Sequence, residues 1–459
     1  MATIITLSVL GILVLFLGIL KQKSLLLPLI LVGLLVALVL TFLEWNTFRH
    51  YYNEMLIADN YSVAFNTVMI LSTFMIFSFA GHYYKGVERP LDDIYAIMIF
   101  ALTGSVMMTS FGNLIMLFLG IETLSIALYV LAGSHKEAIT SNEATLKYFL
   151  IGSFISGFLL FGIALIYGSA HSFNLEEIAR FIAPRAGNLP PMFLAGLFLF
   201  IAGMAFKIAI VPFHFWAPDV YEGTPTLLTA FMASVVKTAS IAALYRFFSV
   251  TFAGIHDAVW EPTLIILAVL TILVGNLTGL YQPSLKRMLA YSSISHSGYM
   301  MLAIIAFCDK TANALLFYTL SYSLATILAF SILMLVRESR GNDLFSSMNG
   351  MAKKNPLEAF CLTVAMLSLT GIPPLAGFMA KFFLFSAAIE HGYAWLVIIA
   401  ILGSAVSAVY YFKPVIAIYF RENEGIELQA GRAFKIHMVV LTLLVIILGL
   451  FPMFFTGLI

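Results

Sequence analysis

Apolar runs of 18 residues or more follow one another along the whole chain, each separated from the next by a short polar or basic stretch. As a helix, such a run is long enough to cross the hydrocarbon core of a bilayer. Fourteen spans are predicted, at 2–20, 25–43, 63–82, 93–109, 111–132, 145–168, 190–213, 225–250, 260–280, 288–308, 312–336, 356–390, 394–420 and 435–456. A barrel would instead show short segments of alternating polarity. The fold class is therefore an all-α polytopic membrane protein. The twelfth stretch is too long for one straight helix, and "GIPP" interrupts it where Pro373 and Pro374 remove backbone donors. The seventh holds Pro212 five residues after Lys207.

The basic residues set the orientation. With the first residue outside, the inner loops hold Lys21, Lys23, Lys85, Arg89, Lys136, Lys286, Arg287, Arg337, Arg340, Lys353, Lys354, Lys413, Arg421, Arg432 and Lys435. Only Arg49, Arg180, Arg185 and Lys310 fall outside, so both ends are expected on the outer side. The apolar run from Ile4 to Leu20 has neither a basic lead-in nor a convincing cleavage site, and reads as a retained first span. No loop is long enough for a separate domain. The segment 171–182 is read as an outer loop, with a short amphipathic helix as the alternative.

Five ionisable residues lie deep within spans: Glu122, Lys207, Lys237, His296 and Lys381. Lys147 and Arg246 lie near span ends, where long side chains can reach the interface. An ionisable group at mid-membrane costs roughly 2.5–3.5 kcal/mol on insertion scales, and survives by pairing or by lining water. One such residue is easily helix glue; a succession across adjacent spans points to a proton path. Lysine suits that role because burial loosens its proton and a nearby carboxylate tightens it, whereas arginine stays charged. Glu122 and Lys207 are expected within ion-pair or one-water reach, with Lys237 next and His296 relaying to Lys381. A helix broken at membrane depth is tolerable where protein or water satisfies its backbone, so the breaks beside Lys207 and Lys381 are either water routes or packing kinks. His214, in "PFHFW", is open between an interfacial histidine and a proton inlet.

Glu122 and Lys207 are 85 positions apart, as are His296 and Lys381, and a shift of 174 maps one pair onto the other. This predicts two inverted five-helix repeats, spans 4–8 and 9–13, with inversion following from the odd number of spans. The single membrane domain, 1–459, then divides into a three-helix segment (1–90), a first unit (91–250), a second unit (260–420) and a last helix (435–456).

Composition narrows the chemistry. Of 459 residues 61% are hydrophobic and 10% charged, with a net charge of +1. Two cysteines, Cys308 and Cys361, exclude a disulfide framework and a Cys-rich metal or iron–sulfur site, and are expected to be free thiols. No nucleotide or zinc motif is present. No cofactor is expected in this chain, and no nucleic-acid partner.

The stretches "FGNLIMLFLGIETLSIALYVLAG", "FKIAIVPFHFWAPDVYEGTPT", "KRMLAYSSISHSGYM" and "LSLTGIPPLAGFMAKFFLF" resemble the antiporter-type membrane subunits of respiratory complex I. The family's fifth-span glutamate falls on Glu122, its seventh- and eighth-span lysines on Lys207 and Lys237, and its distal twelfth-span residue on Lys381. The M type carries a glutamate at that last position, and the L type adds a lateral helix for which the chain leaves no room after Ile459. The resemblance implies proton translocation driven by quinone reduction elsewhere, in the bacterial inner membrane. NADH, FMN, iron–sulfur clusters and quinone would belong to partner subunits, among them a neighbouring M-type subunit and small membrane subunits, with lipid around them. Two other readings stay open: a large subunit of a multi-subunit cation/proton antiporter, and a non-pumping structural membrane subunit. A membrane-bound hydrogenase subunit is a minor third.

Overall fold

The computed structural model describes residues 1–87, 90–185, 187–253, 255, 260–422 and 427–455. Arg89 and the chain's last four residues, included in the expectations above, lie outside them. The helices in chain order are α1 (Ala2–Ile19), α2 (Lys23–Phe42), α3 (Asn60–Tyr83), α4 (Asp92–Thr109), α5 (Leu114–Ala132), α6 (Ile139–Ala170) and α7 (Leu175–Ile182). Then come α8 (Pro191–Ile208), α9 (Trp216–Gly223), α10 (Thr226–Phe231), α11 (Lys237–Thr251), α12 (Trp260–Gly279) and α13 (Leu285–Ile305). The last are α14 (Asp309–Arg340), α15 (Met351–Lys354), α16 (Pro356–Thr370), α17 (Ala376–Glu390), α18 (Ala394–Phe420) and α19 (Arg432–Leu450).

Twelve described segments are each long and apolar enough to cross a membrane. The two remaining predicted spans are α13, diluted by serines and tyrosines, and the broken pair α16–α17. The span through α10 and α11 is continuous, but a π-helical turn, Met232–Val236, interrupts it directly before Lys237. Such turns often mark functional positions. The α10–α11 span and α14 are wholly buried, while α1, α2, α6, α12, α18 and α19 turn most of their apolar surface outward. That is the pattern of a bundle with lipid or partner subunits around it. Close crossings use glycine: a Cβ on Gly162 of α6 would stand 2.8 Å from the Gly196 carbonyl of α8, and the reverse holds equally.

The two predicted five-helix units pack alike. In the first, α4 lies on α5, α5 on α6, α6 on both halves of the broken span α8–α9, and α11 returns to α4 and α8. In the second, α12 lies on α13, α13 on α14, α14 on both α16 and α17, and α18 returns to α12 and α16. Helix α14 also reaches α3 and α19, joining both units to the flanking helices.

Three expectations need correction, and the structure adds one element. Residues 171–182 are not an ordinary loop: Asn174 caps α7, which buries Leu175, Ile178 and Ile182 against the bundle. A two-stranded hairpin, β1 (Arg49–Tyr51) and β2 (Leu56–Ala58), precedes α3. Its β2 pairs with Phe111 while Asn113 pairs with Asn174, so the loops assigned to the outer side gather at one end. Arg246 does not reach for the interface: it is 4% exposed and holds Asp59 at 2.6 Å. Lys286 is no solvated loop cation, because α13 begins at Leu285 and buries it fully.

Candidate functional site

At the first break, α8 ends as Ala209 turns left-handed (φ 60°). Its N–H bonds the Phe206 carbonyl at 3.1 Å and that of Ile210 bonds Ala205 at 2.8 Å, a Schellman closure. Pro212 has no N–H, so the Ile208 carbonyl four residues back loses its helical donor. The Ser297 hydroxyl from α13 supplies one at 2.7 Å. Thr271 Oγ1 accepts the Val211 N–H at 3.0 Å, and Trp216 Nε1 donates to the Phe206 carbonyl at 3.0 Å. The last turn before the break carries Lys207, whose buried Nζ donates to Ser125 Oγ at 2.5 Å.

The second break is closed the same way with different parts. Gly371 takes φ 91°, its N–H bonds Ser368 O at 3.0 Å, and Ile372 N–H bonds Leu367 O at 3.1 Å. Pro373 and Pro374 orphan the carbonyls of Leu369 and Thr370. Lys381 Nζ donates to those two carbonyls, at 3.2 and 2.7 Å, and to Ser404 Oγ at 2.8 Å. A buried lysine thus supplies the donors that the two prolines remove.

Between the breaks lie Lys237 and His296. Lys237 Nζ donates to the Ser293 carbonyl at 2.5 Å and to Ser297 Oγ at 2.7 Å. His296, one turn of α13 away, has Nδ1 2.7 Å from Tyr318 Oη and Nε2 3.1 Å from Tyr411 Oη. Beside it a cavity of about 10 Å³, lined by Tyr318, Tyr322, Ser368 and Ala380, opens toward the second break. That is near the least volume a single water needs.

Four of the five predicted residues, Lys207, Lys237, His296 and Lys381, are buried; Ser297 links Lys237 to the first break, and the cavity beside His296 borders the second. Glu122 is only half-buried, and it forms no direct ion pair with Lys207. Its Oε1 accepts instead from Ser156 Oγ at 2.6 Å, while the amine rests on Ser125, one turn along the same helix. Residue-by-residue reading singled out charges and passed over Ser125, Ser156, Ser293, Ser297, Ser404, Tyr318 and Tyr411. The signal for some was present: "YSSISHSGY" puts hydroxyls on successive turns of one span, beside a histidine. His214 is buried, and its Nδ1 has no hydrogen-bond partner. Cys308 and Cys361 are free thiols. Among the described residues no three His, Cys, Asp or Glu side chains gather to hold a metal.

Residues 112–407 match the family described as NADH:quinone oxidoreductase/Mrp antiporter, transmembrane. NADH-quinone oxidoreductase subunit N of Flavobacterium psychrophilum is 42% identical over 452 residues, covering 98% of each chain. A chain of respiratory complex I from Thermus thermophilus, solved with bound aureothin, is 34% identical with a TM-score of 0.84, over 98% of this chain and 97% of that one. A chain of the Mrp complex from Dietzia sp. DQ12-45-1b shares the fold at 20% identity, with a TM-score of 0.88 over 99% and 95% of the two chains. The chain accordingly belongs to the NADH:quinone oxidoreductase/Mrp antiporter family of transmembrane subunits.

Proposed function

We propose that the chain is the N-type, proton-translocating membrane subunit of a bacterial NADH:quinone oxidoreductase, working through Glu122, Lys207, Lys237, His296 and Lys381. The observation that carries this reading is that Lys237 is bonded through Ser297 to the first helix break, while the small cavity beside His296 borders the second at Ser368 and Leu369. A hydroxyl such as that of Ser297 or Tyr411 accepts a proton on one lone pair and releases its own, so it passes charge without keeping it. The lysine amines and the His296 ring hold the proton between transfers. Glu122 bound to Ser156 leaves Lys207 without a direct ion pair; Glu122 turned onto Lys207 would hold a proton there more tightly. Alternation between the two is the switch.

NADH, FMN, iron–sulfur clusters and quinone belong in this reading to partner subunits, and quinone reduction there supplies the energy. An M-type subunit and small membrane subunits would cover part of the outward apolar surface, and lipid the rest. The chain sits in the bacterial inner membrane with both ends on the outer side, as the basic residues direct. The two five-helix units act as inverted repeats, each contributing one broken helix. Under the shift of 174, Lys237 falls on Tyr411, which gives the second unit a hydroxyl where the first has an amine.

The test is Lys237→Ala and Lys237→Arg in the assembled complex at matched assembly, with NADH-driven proton uptake measured in inverted vesicles. We expect at least a tenfold loss with alanine and no rescue by arginine, which keeps the charge but cannot release the proton. Full pumping by assembled Lys237→Ala would overturn the reading. Sodium–proton exchange without NADH would move the chain to the antiporter branch of its family.

A further inference from the structure

Helix α9 is eight residues long and fastened at both ends. At its start the Trp216 ring stacks on Tyr148, with centroids 4.6 Å apart, and bonds the Phe206 carbonyl, one residue before Lys207. Its far half carries Asp219 and Glu222, three positions apart and so on one face. Asp219 takes Lys147 of α6 at 3.0 Å and Arg287 of α13 at 3.2 Å. Glu222 takes Arg287 as well, and Glu143 backs Lys147 at 2.6 Å. Beneath this layer the buried Lys286 amine donates to the carbonyls of Glu222 and Thr224, at 3.1 and 2.5 Å, where α9 ends.

We propose that this ionic clamp, Lys147–Asp219–Arg287–Glu222 over Lys286, is a latch on the inner surface that opens and closes the proton-uptake route to Lys207, with His214 in the segment that leads into α9. The clamp sits where a latch must. It ties α9 to α6 and to α13, the helix whose Ser293 and Ser297 hold Lys237, so one movement is felt at both lysines. Its four upper side chains are partly exposed, between 30% and 42% for Lys147, Asp219 and Arg287 and 45% for Glu222, and pairs in that setting are easily broken. Lys286 is fully buried on two backbone carbonyls and serves as the pivot. In the segment between α8 and α9, His214 is the titratable side chain, 8% exposed and lying against the Pro212 backbone. Moving α9 away from Arg287 would shift the segment that holds His214, two residues before the helix, and the Trp216 bond would carry the movement to the turn that holds Lys207.

The inference rests on the proposed proton path, and its test reads access as well as pumping. In the assembled complex, His214→Cys is labelled with a membrane-impermeant maleimide, in inverted and in right-side-out vesicles, with Asp219 intact and with Asp219→Asn. We expect labelling from the inner face alone, at least tenfold faster once Asp219→Asn opens the latch. An unchanged rate, or labelling from the outer face, would overturn the proposal. In a second measurement, Asp219→Cys/Arg287→Cys is oxidised to a disulfide and then reduced. Proton uptake should fall at least fivefold on oxidation and return with dithiothreitol; uptake unaffected by complete cross-linking would make the clamp static and sink the latch. A complex in which Lys237→Ala still pumps fully would refute the proton path separately, whatever the labelling shows.

Discussion

The Ser297 hydroxyl accepts from Lys237 Nζ at 2.7 Å and donates to the Ile208 carbonyl at 2.7 Å. One side chain therefore joins the lysine of an unbroken span to the backbone gap beside Lys207. Pro212 creates the gap, Ser297 fills it, and Lys237 is oriented as a result. Sequence places these residues in three different spans, and only packing of α13 between α11 and α9 brings them together.

Ser297→Ala should slow proton uptake about tenfold while leaving assembly intact, which corresponds to roughly 1.4 kcal/mol in barrier height. Without the hydroxyl, the Ile208 carbonyl is unsatisfied and Lys237 keeps a single partner, the Ser293 carbonyl. Ser297→Thr restores the hydroxyl and should recover much of the rate. Equal loss in both variants would mean that space at this crossing matters, and the hydroxyl does not.

Glu122→Gln keeps an oxygen for Ser156 but removes the charge that Lys207 would answer. Proton uptake should fall strongly in vesicles holding normally assembled complex, and Glu122→Asp should recover part of it. Ser156→Ala frees the carboxylate from its resting partner and should change the rate less than Glu122→Gln does. The idea of a two-position glutamate fails if Glu122→Gln pumps like the parent.

Fourteen spans and the five deep ionisable residues were legible because charge in an apolar run stands out against a uniform background. The breaks were legible as well, since proline announces a missing donor. What satisfied those breaks was not. Ser297 for Ile208 and Lys381 for Leu369 and Thr370 are contacts between segments, with no local signature. That Glu122 rests on Ser156 and not in a direct pair with Lys207 was not legible, because a serine on the next helix is invisible to an argument from charge and depth. Arg246 and Lys286 were misplaced because position near a span end fixes depth but not which way a side chain is covered. The π turn before Lys237 lies in "FMASVVK", where nothing breaks the apolar pattern.

Arg246 gives a prediction about stability. It is almost fully buried, paired with Asp59 at 2.6 Å and lying 4.9 Å from the centroid of the Tyr61 ring. Asp59→Ala strands a buried cation, and losing one partner of a buried pair costs about 3–5 kcal/mol. The same change also removes the Asp59 cap from the start of α3. A clear drop in the unfolding temperature of the detergent-solubilised complex is expected. Asp59→Ala combined with Arg246→Leu should recover part of the loss by removing the stranded charge, leaving mainly the cost of the cap.

Lys381 separates structural from proton-carrying roles most cleanly, because it performs both tasks with the same atom. Its amine satisfies the Leu369 and Thr370 carbonyls that Pro373 and Pro374 orphan, so removing it leaves Leu369 unsatisfied, at about 1–3 kcal/mol, and Thr370 with only the longer bond from Ser404 at 3.3 Å. Lys381→Met should therefore lower both assembly and pumping. Lys381→Arg retains N–H donors for the carbonyls and for Ser404, and should assemble close to normally. Arginine cannot release its proton, so that complex should still fail to pump. The deciding measurement is proton uptake per assembled complex, with assembly quantified on native gels. Pumping restored by arginine would make Lys381 a helix-break cap and nothing more, and the proton path would have to end at His296 or leave it by another residue.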